Sequence, residues 1–552
     1  MKKSHKYLAQ AGVKSLPHGR IDKRYTGIGA TTLEITDESR NSIIVCPTVA
    51  LASSKAVWAQ EKYQDNPGVS IHYVGSLANG ISPSEPKDII HALKSGRRVK
   101  VLAVVDSFVR YFEDELKDYK GYFHLVVDEA DSLQRDISFR PVMENCLNLY
   151  CEFPGKNRTM ISATWYDSVL EKIKGEPLTI IKKEGDVPDK LWAFQIEGYL
   201  PYWVGRKIKE QLLRRRSTKI LVAANNFDLI QEIMVSGGID EKDVSILCSD
   251  ASELKAGYLK GKITDGRLPD KKVIFMTSAY YIGIDILDDV MIYVVSDVSH
   301  EPSLLSPQQI YQIVGRARER CTARYFFFNQ FKSKTKTKDL KGLNAEALKQ
   351  KEILQRVHAK NQETLIEHYN SRSGGCFYRL RNGKLTFNSL LIDFRLRRYT
   401  IKQQLYSKGS NAKETLSEYF ETTLEQVETL SDTDTKVIKA KEKIRAYKAE
   451  LFRTCANSSF LSLERPFVDL DILLAHSLLS KLILDGSGRC QRWCNDNAER
   501  YTGEMLKDLE SRLSKYTFDY NMSGEKLKSI HREFDEMDEH WANNSHKPFA
   551  NA

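Results

Sequence analysis

Two short stretches of this 552-residue chain carry residue types able to handle a phosphate. The first is Val126-Val127-Asp128-Glu129-Ala130-Asp131, where two adjacent carboxylates end an apolar run. At the carboxyl end of a buried parallel strand, where open α/β sheets bind ligands, one carboxylate can hold Mg²⁺ through water. Its neighbour can then polarise the water that attacks a γ-phosphate. Asp128 takes the metal role in this reading and Glu129 the catalytic one; the alternative is an acidic strand-to-helix turn that caps a helix. The second stretch runs from Arg24 to Thr32, Arg-Tyr-Thr-Gly-Ile-Gly-Ala-Thr-Thr. Backbone N–H groups from Gly27 to Thr32 can cradle phosphate oxygens at a helix N-terminus, and the Thr31 hydroxyl can ligate Mg²⁺. A full phosphate loop reads GxxxxGK[ST]. Gly29 and Thr31 fit that pattern, whereas Ala30 stands in the lysine position and Arg24 in that of the first glycine. The missing cation has two substitutes nearby, Lys23 and Arg24; the alternative is that both face solvent. ATP and Mg²⁺ are the expected cofactors.

These loops need strands to hold them. Nine short runs rich in Val and Ile, at 41–47, 100–107, 122–130, 158–164, 218–225, 244–249, 271–278, 290–296 and 323–329, alternate with helix-length segments. Runs apolar almost throughout fit strands buried on both faces of a parallel sheet, and the alternation implies right-handed βαβ units. The spacing fits two open α/β sheets, with a break near 184–190. Beyond residue 330 the pattern changes. Residues 331–341, FKSKTKTKDLK, read as an exposed basic linker, and 376–388 alternate apolar and polar around Asn382-Gly383, a type I′ hairpin signal. From about 412 onward the patterns read as helical, including ETLSEYFETTLEQVETL and TKVIKAKEKIRAYKAELF.

Further motifs follow in order. Ser162-Ala163-Thr164 comes after the acidic pair. Thr277 then precedes Gly283 by six residues, with Asp285 two beyond it. Gln312 precedes Gly315 by three, followed by Arg316 and Arg318. With Asp128-Glu129, this series resembles motifs II, III, V and VI of superfamily 2 (DEAD/DEAH-like) helicases. Pro47, Thr48, Leu51 and Ala52 resemble motif Ia, and Ser107 is a weaker match to motif Ib. The resemblance spans residues 20–330. It implies an α/β fold with two RecA-like parallel-sheet lobes, 1–187 and 188–330; the residue patterns add a mainly helical region with linker and hairpin, 331–552. It also implies ATP held between the lobes by Lys23, Gly27, Gly29, Ala30, Thr31, Thr32, Gly283 and Asp285, with Mg²⁺ on Thr31 and Asp128. Glu129, Gln312, Arg316 and Arg318 become the catalytic set. A guanidinium reaching across the cleft would neutralise charge on the transferred phosphoryl. The second arginine departs from the commonest family spacing, since Glu319 occupies that position, so the finger is either Arg316 or Arg318. Thr48, Ser107 and Thr277 are the implied nucleic-acid contacts, of the kind that read phosphate and sugar rather than base sequence. The lysine-less loop TGIGATTLE looks like that of helicase-like proteins of phages and mobile elements of Bacteroidetes. That favours DNA over RNA, single-stranded, with replication or processing proteins as partners.

Composition sets the outer bounds. A hydrophobic content of 41%, a charged content of 28% and a mean hydropathy of −0.44 fit an ordinary globular chain, without any apolar run long enough to span a membrane. The basic start has no apolar core of a secretory signal, so a cytoplasmic location is expected. Nine scattered cysteines without a CxxC pair read as reduced thiols. A net charge of +10, from 83 Lys+Arg against 73 Asp+Glu, is compatible with a polyanionic partner. Basic runs extend a nucleic-acid track in this reading: Arg214 to Arg216, the lysines of 332–341, and Arg379, Arg381, Arg395, Arg397 and Arg398 interleaved with Phe377, Tyr378, Phe394 and Tyr399. The alternative is a solvated hairpin face with its aromatics in a core.

Overall fold

A computed structural model describes residues 5, 7–164, 168–185, 187–214, 218–281, 283–317, 320–331, 338–359, 376–381, 384–407, 409–431 and 434–457, with scattered positions beyond. The apolar runs become strands because each is covered on both sides. Seven strands make the first sheet: β1 (Gly19–Asp22), β2 (Ser42–Cys46), β3 (Val69–Val74), β4 (Arg98–Val104), β5 (His124–Asp128), β6 (Arg158–Ser162) and β7 (Leu178–Ile180). Their order is β3-β4-β2-β5-β6-β1-β7 and every pairing is parallel. The second sheet contains β8 (Asp189–Glu197), β9 (Lys219–Ala223), β10 (Val244–Leu247), β11 (Val273–Met276), β12 (Val290–Ser296), β13 (Cys321–Asn329) and a late strand, β16 (Phe420–Glu428). Its order is β10-β11-β9-β12-β13-β8-β16, again parallel throughout. Alternate residues of one strand feed opposite cores: Ile43 and Val45 of β2 face one cluster of the first sheet, Ile44 and Cys46 the other. These are the two RecA-like lobes expected from the sequence.

All nine expected strands form, and β14 (Tyr378–Arg381) pairs antiparallel with β15 (Lys384–Phe387) as the hairpin reading anticipated. The turn itself, Asn382-Gly383, lies outside the described residues, as do Arg215, Arg216 and residues 332–337. One reading is corrected. ETLSEYFETTLEQVETL is not helical along its length; Phe420–Glu428 is β16, a parallel partner of β8. Phe420, Leu424 and Val427 are spaced for a helix face, but Phe420, Thr422 and Leu424 equally make one strand face. Pairing with β8 decides between the two periods. Glutamates 421, 425 and 428 then lie on an edge strand, where charge discourages further strand addition.

The described residues after 330 are mainly helical and are woven into both lobes. The helix Ser389–Gln404 buries Leu390, Leu391 and Ile392 in the first lobe's core, and Ile401, near its other end, in the second's. Each such side chain contributes roughly 1.5–3 kcal/mol. Asp393 accepts from the Ser168 hydroxyl (2.7 Å) and the Val169 amide (2.9 Å) of the first lobe. Arg397 donates to Gln308 Oε1 and Arg398 to the Leu304 carbonyl, each 2.6 Å away in the second. Arg395 pairs with Glu346 and lies over the ring of buried Phe377. This corrects the single-strand track read into Arg395, Arg397 and Arg398: protein groups engage them, and the helix that carries them ties the lobes together. Among the described residues no helix is long and apolar enough to cross a membrane.

Candidate functional site

A cleft of about 690 Å³ opens between the lobes at the carboxyl ends of the strands. Its floor is built by the two stretches that first suggested phosphate chemistry. After β1 the chain passes through Lys23 and Arg24, then Gly27 (φ 70°) and Gly29 (φ 77°), into helix α1 (Ala30–Thr36). Gly29 is the N-cap of α1, and its left-handed backbone is one that glycine adopts without strain. Tyr7 packs against it, at a distance that leaves a Cβ only 3.3 Å from the ring. At the far end of α1, fully buried Lys100 donates to the carbonyls of Glu34 (2.9 Å), Asp37 (2.5 Å) and Arg40 (3.0 Å). A cation at a helix C-terminus suits the macrodipole, and it fixes the helix whose N-terminal amides face the cleft.

Asp128, the last residue of β5, accepts a 2.6 Å hydrogen bond from the Thr31 hydroxyl. Glu129 follows at φ 49°, a left-handed conformation unusual for a side chain of this size. Lys23 reaches both carboxylates, with Nζ 3.1 Å from Glu129 Oε1 and 3.5 Å from Asp128 Oδ1. All three groups are buried. Burial alone would lower the lysine pKa, but the two carboxylates overcome it and hold Lys23 well above the ordinary lysine range. Burial alone would raise Asp128; Lys23, Lys55, the Thr31 hydroxyl and the Glu129 amide outweigh it and hold the carboxyl below the usual range. Of the two upstream cations, then, Lys23 enters the site. Arg24 pairs with Asp22 (2.8 Å) and borders a different interlobe cavity.

The buried oxygen Glu129 Oε2 has no hydrogen-bond partner among the described residues. An orphaned carboxylate oxygen next to a hydroxyl and a second carboxylate is an all-oxygen donor set, which suits a hard divalent cation of the Mg²⁺ kind. Thr31 and Asp128 would hold such an ion. Among the described residues no group of three or more His, Cys, Asp or Glu could hold a metal, at this site or elsewhere.

The second lobe supplies the opposite wall. Gly283, Asp285, Gly315 and Arg316 line the cleft with Gly27, Gly29, Ala30, Thr31 and Thr32. Gly315 lets the lobes approach closely, since a Cβ there would meet Thr26 Oγ1 at 2.7 Å. Arg316 is buried and donates through Nε to the Gln312 carbonyl (3.0 Å) and through Nη1 to that of Ile284 (3.2 Å). Gln312 lies behind the cleft wall. Its amide donates across the lobes to Thr164 Oγ1 (2.6 Å) and more distantly to Asp131 Oδ2 (3.4 Å). Ser162 Oγ donates to Asp131 Oδ1 at 2.7 Å, so the acidic loop, Ser162-Ala163-Thr164 and Gln312 form one hydrogen-bonded chain. Burial pushes Asp131 up to about 6, against the lowering influence of Arg135. Arg318 lies outside the described residues.

The three proposed nucleic-acid contacts also follow strand ends but stand apart from the cleft lining. Thr48, after β2, is exposed and N-caps helix α2 (Val49–Tyr63) by accepting from the Leu51 amide. Ser107, after β4, is half-buried. Thr277, after β11, is buried, and its hydroxyl donates to the Leu247 carbonyl.

Residues the sequence did not single out also line the cleft: Tyr7, Tyr25, Lys55, Lys183 and Tyr311. A signal for Lys55 was present. It lies four residues after Leu51 on α2, so the two share a helix face, and Leu51 sits against Gly283 of the opposite lobe.

Residues 27–173 match the family model for DEAD/DEAH box helicases. No curated protein matches the chain. Among solved structures it is similar to Mss116p bound to ssRNA and AMP-PNP, at 14% identity and a TM-score of 0.38, over 74% of this chain and 89% of that one. It is similar to Saccharomyces cerevisiae Dbp5 bound to RNA and ADP BeF3, at 14% identity and a TM-score of 0.38, over 57% and 80%. It is also similar to Mycobacterium smegmatis helicase Lhr bound to ssDNA and AMP-PNP, at 13% identity and a TM-score of 0.35, over 57% and 44%.

Proposed function

We propose that the chain is a nucleic-acid-stimulated ATPase that moves along or remodels nucleic acid. One observation carries this reading. A single cleft gathers, from two parallel sheets, a glycine-rich loop at a helix N-terminus, a Thr31–Asp128 pair, a buried catalytic-type carboxylate and the Gly283/Asp285 and Arg316 wall. ATP lies across it in this proposal, with phosphate oxygens on the amides of Gly27 to Thr32 and Lys23 supplying charge that Ala30 cannot. Bound Mg²⁺, on Thr31 and Asp128, supplies charge neutralisation at the phosphates. Glu129 takes the proton of a water whose oxygen bonds to the γ-phosphorus as the β–γ bridging P–O bond breaks, giving ADP and phosphate. Either Arg316 or Arg318 serves as the finger; Arg316 would first exchange its two carbonyl acceptors for phosphate oxygens. Gln312, bonded to Thr164 across the lobes, ties the chemistry to lobe closure, and closure alters the grip of Thr48, Ser107 and Thr277 on a strand. The lysine-less loop supports a finer assignment: single-stranded DNA rather than RNA, in phage or mobile-element replication or processing, alongside partner proteins in the cytoplasm.

Ala30 favours a second reading, a helicase-like scaffold that clamps nucleic acid without turnover. An ATPase assay with and without single-stranded DNA, duplex DNA and RNA separates the two. Turnover stimulated by one of these, and lost in Glu129→Gln while nucleotide binding persists, supports the enzyme. Nucleic-acid binding with no ATP binding at millimolar nucleotide supports the scaffold.

A further inference from the structure

The cleft holds a cation that the functional assignment has not used. Lys55, half-buried on α2, lines the wall beside Leu51 and Ser54 and makes no hydrogen bond or ion pair among the described residues. Lys23 is in a different position: two carboxylates already hold its ammonium, at 3.1 and 3.5 Å. With Ala30 in the loop, Lys55 is therefore a cation of the first lobe that is available to a polyanion. A solvated lysine on a cleft wall is the plain alternative. Three features count against it. The side chain stands on a buried helix face with Ala52, Ala56 and Ala59 packed beneath α2; Leu51, one turn earlier, touches the opposite lobe at Gly283; and the site otherwise lacks the P-loop lysine.

We propose that Lys55 is a phosphate ligand selective for the terminal phosphate of a nucleoside triphosphate. This rests on the nucleotide-binding reading above. The loop amides at the start of α1 serve the inner phosphates in this proposal, which leaves Lys55, on the wall of the same cleft, for the end where Glu129 marks the phosphorus under attack. Because Thr48 caps the start of α2, the helix also joins the triphosphate to the face proposed to hold nucleic acid. A strand that shifts the N-terminus of α2 shifts Lys55 with it.

The test uses the full chain and two fluorescent nucleotides with Mg²⁺, a non-hydrolysable ATP analogue and ADP, on wild type, Lys55→Ala and Lys55→Arg. A charge-assisted phosphate contact corresponds to roughly a 10- to 100-fold change in affinity. Lys55→Ala is expected to weaken the ATP analogue by that factor and ADP by less than about threefold, with an unchanged melting temperature. Lys55→Arg should recover most of the loss. Equal losses for both nucleotides, or none for either, overturn the proposal. A wild type that binds neither nucleotide overturns the nucleotide-binding reading itself, which is a separate result from normal wild-type binding with an indifferent Lys55→Ala.

Discussion

Replacing Lys23 by methionine keeps an unbranched stem of nearly the same length and removes the ammonium, which makes it the sharpest probe of the site. In the wild type one ammonium lies 3.1 Å from Glu129 and 3.5 Å from Asp128, with all three groups buried. At an effective dielectric of ~20 each attraction is roughly 5 kcal/mol, but desolvation of three charges offsets most of it. The useful figure is the cost of removing one member of a buried pair, ~3–5 kcal/mol. Lys23→Met should therefore lower stability substantially in metal-free buffer. The two carboxylates, with Glu129 Oε2 already lacking a donor, then become a better site for a divalent cation than they are beside an ammonium. Millimolar Mg²⁺ should raise the melting temperature of Lys23→Met by more than that of wild type. Binding at ~100 times Kd is worth ~2.7 kcal/mol, or on the order of 5 °C. ATP affinity should move the other way, weakening by ~10- to 100-fold. The sign with pH follows from the raised lysine pKa: its stabilising effect is complete below the ordinary lysine value and fades only as pH rises through the elevated one. The difference between variant and wild type should thus be flat from pH 6 to 9. The assay is thermal unfolding with and without Mg²⁺, together with nucleotide titration. Equal Mg²⁺ effects in the two proteins would refute the idea that Lys23 holds this pair.

Two other outcomes follow from the interlobe hydrogen bonds. Gln312→Ala removes the donor to Thr164 and leaves a buried hydroxyl short of a partner; ATPase kcat should fall while ATP affinity changes by less than about threefold, as expected for a contact that couples closure to chemistry. A parallel rise in Kd would instead make Gln312 part of the binding site. Asp131, held up at about 6 mainly by burial, makes a contribution to stability that is complete below the ordinary carboxylate pKa and lost as pH rises to about 6. Urea unfolding of Asp131→Asn should accordingly lack the part of the wild-type loss between pH 4 and 6, and an identical pH slope in the two proteins would remove Asp131 as its source.

The legible parts of this molecule were those in which one short segment carries both the fold and the chemistry. β5 is apolar because it is central, and it ends in Asp128-Glu129 because strand ends form the site, so one run of letters announced both. Peripheral strands announced less. β1 is four residues with two charges, and β7 and β16 are sheet edges with mixed faces. Pairing partners distant in the sequence decided them. The arginines at 395, 397 and 398 carried the composition of a nucleic-acid track, but composition does not say what a guanidinium will meet; here it meets Glu346, Gln308 and the Leu304 carbonyl. Lys55 was missed because its motif is read at Thr48 and Leu51, and the helix carries the face one turn further.

The substitution at Ala30 looks different once Lys23 has been located. Ala30 is the first residue of α1 and is buried in the cluster with Ile28, Leu33 and Ile35. The cation has moved back to the connection that leaves β1, and Arg24, the next residue, takes a left-handed backbone (φ 54°) stabilised by its pairing with Asp22. Such strain persists only where the surroundings over-determine it, and here it sits directly beside the lysine that reaches the carboxylates. Glu129, at the other end of the same ion pair, is the second strained residue of the site. Two left-handed residues thus bracket one buried ion pair: Glu129 is a member of it, and Arg24, itself turned to Asp22, directly follows its lysine. The geometry fits a relocated cation better than a lost one, which favours the proposed ATPase over the scaffold.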